Sequence, residues 1–431
     1  MKWIARPGLG PAETHPSLLD HECGPSNNPK TWLSNGSTIF MEKRWLVLSS
    51  VLTSRVIYTI NWFNISPALF LIGTEFGVDL PSLGILTASF LAGAGIFQIP
   101  AGIASARWGP KNTSQLGMLL LSLSGIAEGL SPNFPVLIVS RFLLGVGAAL
   151  FFAPAIGILT PLFKPEEEGL VLGLYNSCFN IGGGLGLFVW VLVIDTFNWH
   201  VGLIIGGALG LISVAIGQIV IPRDRVERKA RKPMRRAFRS RNIWIIAFGV
   251  LGLWGGIFTS SQFLEGYLNK TLSFPAEIAG LLASLIMFAS IFGGPVGGYL
   301  SDRFRQRKIF ILVPGVLASI GIALFGASPA NGLWFLIPAV GFLDAMVFST
   351  MYASASQYPE VGHEYAPLGI SIINSVQILG SFFIPIGFTF FASVYNSFSA
   401  GWFFMGGLAV AMMLLILFLQ EPFKASPASS G

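Results

Sequence analysis

Gly298-Tyr299-Leu300-Ser301-Asp302-Arg303-Phe304-Arg305-Gln306-Arg307-Lys308 joins two apolar runs and has a counterpart earlier in the chain, Gly102-Ile103-Ala104-Ser105-Ala106-Arg107-Trp108-Gly109-Pro110-Lys111. Ala101-Gly102 with Ala106-Arg107 falls 196 residues before Gly297-Gly298 with Asp302-Arg303. A second patch, Asn176-Ser177 with Gly182, precedes Asn374-Ser375 with Gly380 by 198 residues. Two independent patches at nearly one offset mark an internal duplication.

Apolar runs surround both copies and recur along the chain, at 45–70, 82–104, 113–131, 136–161, 168–194, 200–221, 243–268, 276–300, 309–327, 334–357, 367–394 and 400–420. Each approaches or exceeds the roughly 20 residues that a helix needs to cross a bilayer. The connections are short and carry turn residues, such as Ser131-Pro132-Asn133 and Ser328-Pro329-Ala330-Asn331. Continuous apolar character far beyond ten residues reads as helix rather than barrel strand. Twelve crossings are therefore expected.

Composition agrees. Of 431 residues, 53% are hydrophobic and 11% charged, against about 25% charged in a soluble domain. A soluble enzyme, a disordered chain and a nucleic-acid-binding module are thereby excluded, and lipid is the expected surroundings. Cys23 lies in a polar leader and Cys178 in an apolar run, so no disulfide scaffold is expected. His15, His21 and Cys23 fall among Pro, Asn and Ser, which reads as a solvated tail rather than a metal site. Residues 1–43 lack an apolar core near the start, so no signal peptide is expected and the first run serves as insertion signal.

Lys and Arg set the orientation. With an even helix count and both ends cytosolic, 23 of the 26 basic residues fall on the inner side. Arg55 and Arg141 lie within runs, and Lys270 is the one basic residue left outside. That asymmetry is what the positive-inside rule demands. The longest inner loop, Arg223 to Arg241, separates two sets of six helices, and beside a span such a basic run fixes topology and touches anionic lipid. The sequon Asn269-Lys270-Thr271 would face outside. The expected division is a polar tail 1–43, a six-helix bundle 44–221, a basic cytoplasmic linker 222–242, a second bundle 243–420 and a tail 421–431. A duplicated unit about a pseudo-two-fold axis places a solute site between the halves near the midplane, reached from one side at a time.

These motifs resemble those of the major facilitator superfamily, over about residues 45–420. The family's signature between helices 2 and 3 is Gly, three residues, Asp-Arg, one residue, Gly and then basic residues. The first stretch quoted above shares its Gly102, Arg107, Gly109 and Lys111, the second its Gly298, Asp302, Arg303 and basic residues, and Arg141-Phe142-Leu143-Leu144-Gly145-Val146-Gly147 matches the family's opening of helix 4. The first copy departs at Ala106, where the family has Asp, while Asp302 is intact. The resemblance implies an all-α membrane protein of twelve transmembrane helices in two pseudo-symmetric six-helix bundles. It also implies that Arg107, Asp302 and Arg303 gate the cytosolic ends, and that helices 1, 4, 7 and 10 line the cavity.

An ionisable side chain in hydrocarbon costs about 2.5–3.5 kcal/mol on insertion scales and so faces a cavity or a partner. Arg55 lies ten residues past Trp45, about 15 Å into helix 1. Thr59, Trp62 and Ser66 share its face, with Tyr58 beside them. Two readings stand: Arg55 pins helix packing through backbone carbonyls, or its guanidinium binds an anion, most naturally a carboxylate. Asp344, about ten residues into helix 10, could pair with Arg55, carry a proton or meet a cationic solute. Glu265, near Gln262 and Tyr267 toward the outer end of helix 7, is a coupling or interfacial carboxylate. Glu128 reads as interfacial, and Arg141 as structural or a gate. Asn374 and Gln377, with Asn176, Ser177 and Asn180, suit contacts between helices, and Asn374 has a secondary chance of touching solute. Gln98 reaches toward the cavity from helix 2.

The family's nitrate branch has arginines near Gln98 and in helix 8 that this chain lacks, and the organic-anion branch has Asp-Arg where Asn61-Trp62 stands. No phosphate-binding glycine-lysine loop or clustered Cys and His suggests ATP drive, a cofactor or a catalytic metal. The expectation is a non-enzymatic secondary transporter of a small organic anion, coupled to protons, monomeric, in the inner membrane with both termini cytoplasmic. The candidate solute ligands are Arg55, Tyr58, Thr59, Trp62, Gln98, Gln262 and Asn374, and the proton carriers Asp344 and Glu265. An exporter of amphipathic compounds is the alternative, its wide aromatic cavity supplied by Trp62, Phe151, Phe152, Trp254 and Phe348. A non-transporting receptor would call for long appended domains, and the tails are short.

Overall fold

A computed structural model describes residues 37–222, 238–355, 357–358 and 362–425. The leader with His15, His21 and Cys23, and most of the basic linker, lie outside the described residues. The unit beginning at Arg44 is the one whose packing follows. The described secondary structure is helical: α1 Ser37–Phe63, α2 Leu69–Phe76, α3 Leu80–Trp108, α4 Pro110–Gly129, α5 Phe134–Leu159, α6 Pro165–Thr196, α7 Trp199–Val220, α8 Arg241–Lys270, α9 Ala276–Phe304, α10 Arg307–Leu324, α11 Ala330–Ala355, α12 Gly362–Gly380, α13 Phe383–Val394 and α14 Phe398–Met413.

Short polar side chains start several of these helices. Asn133 accepts from the Val136 amide at 3.0 Å to cap α5, and Asn198 does the same for α7 through Val201 at 2.8 Å. Asp79 caps α3 through the Ser82 amide and hydroxyl, and those bonds hold its carboxyl below the usual carboxylate range.

Among the described residues, eleven segments are long and apolar enough to cross a bilayer, the first running through α1 and α2 and the tenth through α12 into α13. The twelfth, α4, has 20 residues, about 30 Å at the standard rise. Its hydropathy is diluted by Lys111, Thr113, Ser114, Gln115, Ser122, Ser124 and Glu128, all buried. Its polar face is thus turned to protein, as lipid requires.

Two runs expected to be unbroken are not. The first bends at a 3-10 turn over Ser66–Ala68 that contains Pro67, and resumes as α2 until Gly77 stops it at φ 62°. Proline removes a helical donor, so a bend there follows. The run at 367–394 divides at Ser381-Phe382.

The duplication is visible in the packing. A Cβ on Gly145 of α5 would collide with the Phe90 carbonyl of α3, and one on Gly341 of α11 with the Ile286 carbonyl of α9. Both members of the second contact lie 196 positions after those of the first. Small residues let these backbones touch, which is how helices associate where solvent gives no hydrophobic drive. α3, α4, α5 and α7 pack together in the first half, and α8 to α11 with α14 in the second. The halves meet where α6 lies on α9 and where α3 lies on α12 and α13.

Candidate functional site

Arg55 sits in the middle of α1, 4% exposed. Four rings surround its guanidinium carbon: Tyr175 at 4.5 Å, Tyr58 at 4.7 Å, Phe179 at 4.8 Å and Phe152 at 4.9 Å. Tyr58 comes from α1, Phe152 from α5, and Tyr175 and Phe179 from one face of α6. Ring faces attract a cation through their quadrupoles, by about 0.5–2 kcal/mol each, but offer no lone pair to its N–H groups. Nε and Nη1 of Arg55 are buried with no hydrogen-bond partner. The alternative in which Arg55 pins backbone carbonyls therefore finds no support at those two atoms.

Asp344, on α11, is buried and its Oδ1 also lacks a partner. No ion pair with Arg55 forms among the described residues. Tyr352 lies two turns along α11 from Asp344. Its hydroxyl donates to Asn374 Oδ1 of α12 at 2.8 Å. Tyr352 and Asn374 thus tie α12 to the helix that carries Asp344.

Other candidates are placed differently from expectation. The Thr59 hydroxyl donates to the Arg55 carbonyl at 2.9 Å, and Thr59 faces Gly182 of α6 with no exposed surface. It packs α1 against α6 instead of offering a free hydroxyl. Ser66 donates to the Gln262 carbonyl at 2.9 Å, and Gln262 Nε2 donates to the Trp62 carbonyl at 3.2 Å. Gln262 is therefore a link between α1 and α8 through its amide nitrogen, while its Oε1 is buried without a partner. Trp62 is buried against Phe90 at 4.5 Å and Phe179 at 5.6 Å, which joins its ring to the cage around Arg55. Gln98 and Glu265 are both buried, on α3 and α8.

Glu128 is not interfacial. It and Arg141 have no exposed side-chain surface and lie 3.5 Å apart. Arg141 also donates to the carbonyls of Asn61 at 3.2 Å and Trp62 at 2.7 Å, at the end of α1 where carbonyls lose their helical partners.

At the end of the helices rich in Lys and Arg, Asp302 pairs with Arg307, while Arg303 is exposed and donates to the Tyr299 hydroxyl at 2.9 Å. Arg307 further donates from Nε to Gln357 at 3.1 Å, and its amide to Glu421 at 2.8 Å. In the first half Arg107 is exposed, and the buried cation is Lys111, whose ammonium donates to the carbonyls of Gln218 and Ile221 at the end of α7. Lys111 and Arg307 occupy equivalent positions, 196 residues apart. The first half thus answers the missing carboxylate at Ala106 with a helix C-terminus, which carries partial negative charge. Neither this cation nor Tyr175, Phe179 and Tyr352 was singled out in the sequence. The four-residue spacing of Tyr175 and Phe179 was the available signal.

A sequence profile of the Major Facilitator Superfamily matches residues 51–366. A probable L-galactonate transporter of Escherichia coli (strain K12) is 25% identical over 397 residues, covering 84% of this chain and 86% of that one. A probable sulfoacetate transporter of Cupriavidus necator is 23% identical over 415 residues, covering 88% and 94%. Among solved structures, a bacterial homolog of the human lysosomal transporter Spinster, inward-facing and unoccupied, superposes with a TM-score of 0.70 at 16% identity, covering 89% of this chain and 97% of that one. The residues matched, the twelve helices and the repeated contacts agree: the chain is a multi-pass membrane protein that belongs to the Major Facilitator Superfamily and has its alternating-access transporter fold.

Proposed function

We propose that the chain carries a small organic anion, above all a carboxylate, with Arg55 as its binding group and Asp344 as the proton-carrying partner. One observation bears most weight: a guanidinium at mid-depth, 4% exposed, with two nitrogens lacking any acceptor. A buried cation left in that state is costly, and a carboxylate supplies the missing lone pairs through charge-assisted hydrogen bonds. The relatives named for L-galactonate and sulfoacetate support the same chemistry, since each of those solutes carries a carboxylate. Tyr58, Trp62, Gln98 and Asn374 complete the walls, and Glu265 is a second candidate for proton transfer. Arg107, Asp302 and Arg303 act at the cytosolic gate. The protein works as a monomer in the inner membrane with both termini cytoplasmic, a placement supported by the one-sided distribution of Lys and Arg.

Uptake of carboxylates by proteoliposomes tests this. Arg55→Lys should slow uptake at least about tenfold, because an ammonium cannot reproduce the guanidinium's forked geometry. Native rates in that variant would remove the anion site from the account.

A further inference from the structure

Resting on the proposal that Arg55 holds the carboxylate, the surroundings of that residue say what the rest of the solute resembles. The four rings of Tyr58, Phe152, Tyr175 and Phe179 approach its guanidinium to within 4.5–4.9 Å. Phe152 and Phe179 are only half-buried, so both keep accessible surface. Three of the hydroxyls nearby already donate to protein. Tyr175 donates to the Phe152 carbonyl at 3.0 Å, Thr59 to the Arg55 carbonyl at 2.9 Å and Tyr352 to Asn374 at 2.8 Å.

We propose that the Arg55 site selects aromatic monocarboxylates over polyhydroxylated acids. The carboxylate meets the partnerless guanidinium nitrogens, and the flat body lies against the accessible surface of Phe152 and Phe179. Ring against ring in offset or edge-on geometry adds to area burial. A sugar acid satisfies the same cation but sets its hydroxyls against the rings of Phe152 and Phe179, which offer no hydrogen-bond partner. Each unpaired hydroxyl then loses its water without replacement.

The test is direct binding to the purified full-length protein in detergent, by calorimetry at one pH and ionic strength, with benzoate, cyclohexanecarboxylate and gluconate. All three share a carboxylate and differ in the body. Benzoate should bind at least about tenfold more tightly than gluconate, and several-fold more tightly than cyclohexanecarboxylate. Phe179→Leu should bring benzoate and cyclohexanecarboxylate toward equal affinity, and Arg55→Lys should weaken all three. Gluconate binding as well as benzoate overturns the aromatic selectivity and leaves the anion site standing. Equal affinity for benzoate and cyclohexanecarboxylate in the native protein reduces the selection to apolarity, which also overturns it. Binding of none of the three, or binding indifferent to Arg55→Lys, overturns the anion site and the selectivity together.

Discussion

Gln262 of α8 donates its side-chain amide to the carbonyl of Trp62 on α1 at 3.2 Å, and Arg141 of α5 donates to that same carbonyl at 2.7 Å. A single backbone oxygen where α1 ends is thus shared between the two halves. Ser66 and Gln262 are themselves 196 residues apart, as are Phe70 and Gly266, which also touch. Residues related by the duplication offset meet only on the pseudo-two-fold axis. The turn after α1 and the start of α2 therefore meet α8 on that axis, at the end remote from the basic loops.

This contact ties the halves together at that end, so weakening it should favour the state open there. Gln262→Leu removes a bond worth about 0.5–1.5 kcal/mol, enough to move a two-state equilibrium about two- to twelve-fold. Spin labels on the remote ends of α2 and α8 should report a larger long-distance population in the variant. An unchanged distance distribution would show that the bond does not bias closure.

The Glu128–Arg141 pair allows a stability prediction. Both side chains are fully buried, and removing one member of such a pair costs about 3–5 kcal/mol because the other charge is left alone. Glu128→Ala should lower the unfolding midpoint in detergent strongly. Glu128→Leu combined with Arg141→Met should recover part of that loss, since neither charge then remains. Strictly additive losses would mean that the two residues do not interact.

The sequence made the helices plain, α4 among them despite its polar residues, because lipid imposes long apolar runs. Glu128 was misjudged for a definite reason. Its depth was read along its own helix, whereas its partner stands across the Ser131-Pro132-Asn133 turn on α5. Glu128 and Arg141 flank that turn in an antiparallel hairpin, so the pairing was within reach of the sequence. The cage around Arg55 was not. Tyr58 is three residues away, but Phe152, Tyr175 and Phe179 arrive from two other helices, and their facing is fixed by contacts such as Gly182 on Thr59. Pro67 gave local warning of the bend after α1, and Pro385, four residues past Ser381, gave the same warning for the break at Ser381-Phe382.

Asp344 supplies a functional prediction. Asp344→Asn preserves the shape of a buried carboxyl with a partnerless oxygen but abolishes its ionisation. Uptake driven by an imposed pH gradient should disappear, while exchange of solute between the two sides at equal pH continues. Native pH-driven uptake in the variant would transfer the proton role elsewhere, with Glu265 the next residue to change.

The two gates should respond unequally to symmetric changes. Asp302 is 63% exposed, so its attraction to Arg307 is screened and worth about 0–1 kcal/mol. Arg307 itself is 3% exposed and joins Ser301, Gln357 and Glu421. Arg307→Ala should therefore destabilise the protein far more than Asp302→Ala. At the equivalent place in the first half, Lys111 already donates to the carbonyls of Gln218 and Ile221. Ala106→Asp would add a carboxylate beside a cation that has acceptors, so the midpoint should shift by no more than the increment expected of one exposed charge. A large stabilisation by Ala106→Asp would show instead that Lys111 is poorly satisfied by the end of α7, and that the first half does suffer from the missing carboxylate.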